Sequence, residues 1–136
     1  MKTKMVVVVL GLMLAPLAAL AHHSFAAEFD ATKPITVQGT VTKVEWMNPH
    51  IWIYVDMKDA GGGIAKWQCE GGSPNTLTRQ GWRKDTLKNG DAVVIEGSRA
   101  KDGTNTCNAR VVKTGDGKRL FAGSSGGNAA PAGVPQ

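Results

Sequence analysis

The stretch from Ile35 to Trp46 reads ITVQGTVTKVEW. Ile35, Val37, Gly39 and Val41 alternate onto one face of an extended chain, and the apolar positions then change phase to Val44 and Trp46. Side chains along a strand alternate with a period of two, so a change of phase inside one strand means a bulge or a sharp bend. Gly39 permits tight coiling nearby, since a strand glycine leaves room that a side chain would fill. A bent first strand is expected.

Downstream, the turn Met47-Asn48-Pro49-His50 leads into IWIYVDM, in which Ile51, Ile53, Val55 and Met57 face one way and Trp52, Tyr54 and Asp56 the other. The loop KDAGGG then makes a hairpin and IAKWQCE, residues 64–70, returns antiparallel. The segment 71–82, GGSPNTLTRQGW, predicts a short helix with Ser73 as N-cap, Pro74 at the first helical position and Gly81 closing it. After a polar connector containing Asn89-Gly90, DAVVIEG and TCNARVV supply two more strands, and a last short strand is expected around KRLFA. Three strands, a short helix and two more strands is the order of an all-β, five-stranded OB-like Greek-key barrel. The alternative is a plain antiparallel sandwich.

The flanks are not part of that domain. Residues 1–21 have a basic start at Lys2 and Lys4, an apolar run from Met5 to Leu14, and Ala19-Leu20-Ala21 at a cleavage point, which together read as a secretory signal. No second apolar stretch of about 20 residues follows, so no membrane anchor is expected after cleavage, and the protein is expected in the periplasm or secreted. Residues 22–34 form an N-terminal segment, 35–122 the domain, and 123–136 a Gly/Ala/Pro tail with nothing to bury. Lys2 and Lys4 leave with the signal, so the formal charge falls from +5 to +3, too mild a balance to argue for nucleic acid.

Two cysteines in an oxidising compartment can pair. Ala65, Trp67 and Cys69 share one strand face, as do Cys107, Ala109 and Val111, so both sulfurs are expected to point into the core. A Cys69–Cys107 disulfide is expected, with two buried free thiols as the alternative.

Four motifs carry a resemblance: HHSFAAEFD, GTVTKVEWMNPH, SPNTLTRQGW and LKNGDAVVIEGSRAKDG. Together they resemble a family of small exported bacterial proteins classed as a domain of unknown function, over His22 to about Phe121. The resemblance implies a β-barrel domain outside the cytoplasm, and it brings no established activity with it. The cysteines are not among its motifs.

Cleavage after Ala21 would leave a free α-amino group on His22, and that amine with its own imidazole can close a chelate ring on one metal ion. A second imidazole would complete a three-nitrogen set of the kind Cu(II) prefers. His50, behind Asn48-Pro49 in a rigid turn, is the candidate for it, and His23 is the competitor, because a terminal pair of residues ending in histidine can bind copper with no fold at all. The bland alternative is two solvated terminal histidines and a His50 bonded within its own turn. Glu28, Asp30 and Glu45 match no calcium loop and read as surface charges. A second candidate surface consists of Trp52 and Tyr54 beside Lys66, suited to a saccharide, a peptide or a protein partner, unless Phe25 and Phe29 cover it. No Gly-x-Ser-x-Gly elbow, His-Glu-x-x-His or phosphate-binding loop is present, so a binding module rather than an enzyme is expected.

Overall fold

The computed structural model describes residues 25–123. The expected signal segment, His22, His23 and the expected tail beyond Gly123 lie outside the described residues. A four-residue helical turn, α1 (Phe25–Glu28), precedes β1 (Phe29–Glu45), β2 (Trp52–Lys58), β3 (Ile64–Glu70), α2 (Pro74–Arg79), β4 (Ala92–Ala100), β5 (Thr106–Thr114) and β6 (Arg119–Phe121).

All six strands belong to one sheet. β1 pairs antiparallel with β2 and with β4, β2 with β3, and β4 with β5. A parallel pairing of β3 with β5 then closes five strands into a ring of hydrogen bonds, with β6 added on β5. A sandwich of two separate sheets is therefore not formed. The closed side of the ring is filled by Val37, Val41, Ile53, Val55, Trp67, Val93, Ile95, Ala109 and Val112, all buried.

The change of phase in the first strand is a real irregularity: the β1–β2 register shifts between Val41 and Lys43. Gly39 lies tight against β2: a Cβ there would lie 2.1 Å from the Asp56 carbonyl oxygen. The strand also begins earlier than its alternation. Phe29 already pairs with Ala100, and the register shifts again between Asp30 and Pro34. In that interval the Asp30 carboxylate accepts from both the Thr32 backbone N–H and its hydroxyl, so the segment is a local polar turn within a strand and hides the pairing from an apolar pattern.

Helix α2 matches its sequence signals: Ser73 is the N-cap, its Oγ accepting from the Thr76 N–H, Pro74 is the first helical residue, and Gly81 takes φ +92° just past the end. The helix packs Leu77 against the core, and the following Trp82 is buried with its Nε1 donating to the Phe121 carbonyl at 2.8 Å. Ser73→Ala removes the cap and is expected to cost about 1 kcal/mol, read as a shift in denaturant midpoint with an unchanged slope.

Cys69 and Cys107 are bonded, fully buried, and directly opposite one another in the β3–β5 pairing, with Cα atoms 4.5 Å apart. That separation is within the usual range for a bridge. The parallel pairing spans only Gln68↔Thr106, Cys69↔Cys107 and Glu70↔Asn108, so the disulfide occupies the middle of the contact that closes the ring.

Candidate functional site

The Met47–His50 turn contains a cis Asn48–Pro49 bond and exposes Met47, Asn48 and Pro49. Its end is clamped to the end of β3: Ile51 N–H donates to the Gly72 carbonyl at 3.0 Å, and Gly71 N–H donates to the Ile51 carbonyl at 2.9 Å. Ile51 is wholly buried, which holds His50 beside the last residue of β3. There the His50 Nδ1 meets the Glu70 Oε1. Glu70 is only 8% exposed, whereas the His50 side chain is 33% exposed.

Where Glu70 is ionised its carboxylate can only accept, so the proton between the two groups then lies on Nδ1 and the ring's other nitrogen, Nε2, is the one left for another partner. Glu70 is registered between Trp52 of β2 and Asn108 of β5, and Asn108 is also buried. One end of the ring thus carries a buried polar pair with an accessible imidazole at its edge. Alternation alone could not point to Glu70: facing away from the core-directed Cys69, it reads as one more surface charge.

Of the three expected metal ligands, His50 is placed here, and His22 and His23 lie outside the described residues. Among the described residues no group of three His, Cys, Asp or Glu side chains could hold a metal ion. The bridged cysteines offer no thiolate. Asp30 and Glu45 have local partners: hydrogen bonds from Thr32 hold the Asp30 carboxyl below its ordinary range, and hydrogen bonds from Lys43 and then Tyr54 do the same for Glu45.

The expected aromatic surface is divided. Tyr54 and Lys66 line an open groove of about 240 Å3 together with Trp67, Gln68 and Thr104–Thr106, but Trp52 does not line it. Tyr54 is half-buried, its hydroxyl donating to Glu45 Oε2 at 3.0 Å with the Lys43 ammonium 5.3 Å from the ring centroid. Burial, and then the Glu45 hydrogen bond, push its phenol up from the ordinary value. Lys66 reaches into solvent beside Asp56, 3.7 Å away.

Phe25 of α1 stacks on Phe29 with ring centroids 5.7 Å apart, and Phe29 is on the part of β1 that pairs with β4 rather than the part that pairs with β2. Two larger depressions, of about 640 and 590 Å3, lie over Thr40, Asp56 and Lys113 and among Arg83, Asp91 and Lys118, and none of the expected site residues lines either.

Two further residues make a contact that escaped notice in the sequence. Arg99 lies over the Trp67 indole, its guanidinium carbon 5.4 Å from the ring centroid. Arg99 Nε and Trp67 Nε1 are both buried without a hydrogen-bond partner among the described residues. Trp67 reads as core from its alternation, which is right for its ring, and only closure of the ring through β5 brings Arg99 over it.

Fold and site together define a small disulfide-clasped β domain, five of whose strands close on themselves, with a carboxylate-held histidine at one end. The chain belongs to a family of unknown function, DUF6152, whose model matches residues 10–109. That span includes all four motifs quoted above, but it stops short of Phe121, to which the likeness was expected to run. No curated protein matches the chain, and no solved structure does.

Proposed function

We propose that this protein is an exported binding module, periplasmic or secreted, that holds a copper ion on His50 together with the amine and ring of His22. The supporting observation is the contact of His50 Nδ1 with the buried Glu70 carboxylate. Metal-binding histidines characteristically donate their second ring N–H to a carboxylate, which fixes the tautomer and directs the other nitrogen outward. His50 is held in that way, on a turn clamped to β3, with a third of its side chain open to solvent.

Signal cleavage after Ala21 would supply the remaining donors, since an acylated nitrogen becomes an amine only then. Three nitrogens of this kind suit Cu(II). The role is carriage or sensing rather than turnover, the partners being a small ligand or another protein, with no nucleic acid and no membrane anchor.

Cu(II) titrated into protein with its native amino terminus is expected to bind far more tightly than into protein carrying one extra leading residue. Glu70→Gln is expected to weaken binding by about 10- to 100-fold with the fold intact. Equal affinity with and without the extra residue contradicts the proposal. So does unchanged binding by His50→Ala when His23→Ala abolishes it, because the terminus alone would then be the site.

A further inference from the structure

The chain's 16 Lys and Arg and 11 Asp and Glu are unevenly placed. Four of the basic residues, Arg79, Arg83, Lys84 and Lys88, fall within a stretch that holds one acid, Asp85. Leaving out Lys2 and Lys4, the rest of the sequence carries ten of each sign, so the formal excess of three positive charges lies wholly between Arg79 and Lys88.

The fold holds those four side chains outward. Leu77, Trp82 and Leu87 recur every five residues and are buried in the core, which fixes the segment to the closed ring. Between the anchors, Arg83 N–H donates to the Thr86 hydroxyl at 2.7 Å and Thr86 N–H donates to the Arg83 carbonyl at 3.0 Å, a tight turn that carries Arg83 and Lys84 exposed. Arg79 and Lys88 are exposed as well. Among the described residues none of the four forms an ion pair, whereas Lys33, Lys43, Lys66, Lys113, Lys118 and Arg119 each face a carboxylate. Asp91, the next acid along, turns its carboxylate back to accept from the Lys88 backbone N–H at 2.8 Å. Only Arg79 has a local use, in the last turn of α2, where a cation suits the helix end.

The array does not converge on a pocket. Of the four, only Arg83 lines the depression of about 590 Å3, where Asp85, Asp91 and Asp116 outnumber it and Lys118. None of the three depressions described above is lined by more than one of them, so neither a small anion nor a polyanion tracked along a groove is matched. Separate, exposed cations on a fixed support match an extended anionic surface. We propose that residues 79–88 rest on an anionic lipid bilayer, with the four cations among its phosphate headgroups. The contact is peripheral, with nothing inserted, and is independent of the copper proposal.

Co-sedimentation with vesicles tests this, using the chain from His22 onward so that the apolar Met5–Leu14 run takes no part, and with a chelator present. Vesicles of phosphatidylcholine alone are compared with vesicles of phosphatidylcholine mixed equally with phosphatidylglycerol. Binding is expected to the mixed vesicles only, and to fall as salt is raised. Each neutralised charge should weaken it about fivefold, so Arg83→Gln with Lys84→Gln should lose about 25-fold. Asp85→Asn, which removes the one acid, should strengthen binding about fivefold, a gain that misfolding does not produce. The emission of buried Trp82 reports the fold of each variant.

A second pair of proteins separates this face from net charge. Arg79, Arg83, Lys84 and Lys88 are all changed to Gln in one, and Lys33, Lys58, Lys113 and Lys118 in the other, which lowers the net charge equally. The first should lose the mixed vesicles and the second should keep them. Equal loss in the two, equal binding to neutral vesicles, or no gain in Asp85→Asn overturns the proposal. So does a tighter hold on soluble dextran sulfate than on the mixed vesicles at equal anionic charge, which would assign the face to a polyanion.

Discussion

Reducing the Cys69–Cys107 bridge is expected to lower stability by about 3 to 4 kcal/mol and to loosen β3 from β5 before any other junction of the ring separates. The size follows from the chain-entropy cost of a closed loop, here with the cysteines 38 residues apart and α2 between them. The location follows from topology. Every other junction of the ring is an antiparallel ladder of five or more paired residues, whereas β3 and β5 share three, with the bridge on the middle one. What else holds that junction is slight: Gln68 Nε2 donates to Thr106 Oγ1 at 3.1 Å, and Gln68 N–H donates to the Asn105 carbonyl at 3.1 Å. Denaturant midpoints of oxidised and reduced protein measure the loss, and amide exchange at residues 68–70 and 106–108 locates it. Equal midpoints would mean that core packing closes the ring unaided.

Gly97→Ala is expected to cost about 3 kcal/mol or more, a heavy penalty for one methyl group. A Cβ at this position would lie 1.9 Å from the Asn108 carbonyl oxygen and 2.9 Å from its carbon, both backbone atoms that no side-chain rotation can move. β4 and β5 must separate at the point where their register already shifts, between Glu96 and Gly97. Asn108 is also the partner of Glu70 in the ring, so the displacement should reach the His50 pair as well. Gly81→Ala is the control: nothing lies within 4 Å of its added Cβ, and it suffers only the penalty of φ +92°. Urea midpoints compare the two. A Gly97→Ala protein no less stable than Gly81→Ala contradicts the close approach of β4 to β5.

Parity along a strand reports which way a side chain faces, and where that was the question the sequence was legible. The bend after Val41, the inward sulfurs of Cys69 and Cys107, and the buried Ile51, Ile53 and Val55 all follow from it. Parity is silent about what lies over an outward face. Glu70 is outward by alternation yet buried, and its partner His50 is twenty residues away, so the pair exists only once β2 and β3 are joined. Trp52 and Tyr54 are outward by the same rule but half-buried, and only Tyr54 reaches the groove. The early start of β1 was hidden because Asp30 and Thr32 bond to one another instead of packing on a core. Arg99 over Trp67 depends on two successive strand pairings, β3 with β5 and β5 with β4, and no local pattern contains it.

The central claim is that Glu70 fixes the His50 ring with its proton on Nδ1 and so presents Nε2 as the ligand atom. Long-range 1H–15N correlation of the imidazole nitrogens in metal-free protein tests it most directly, since protonated and unprotonated ring nitrogens differ widely in 15N shift. The expected spectrum of neutral His50 has a protonated Nδ1 and a bare Nε2, and Glu70→Gln should relax that preference. A neutral His50 carrying its proton on Nε2 in the unaltered protein would contradict the account.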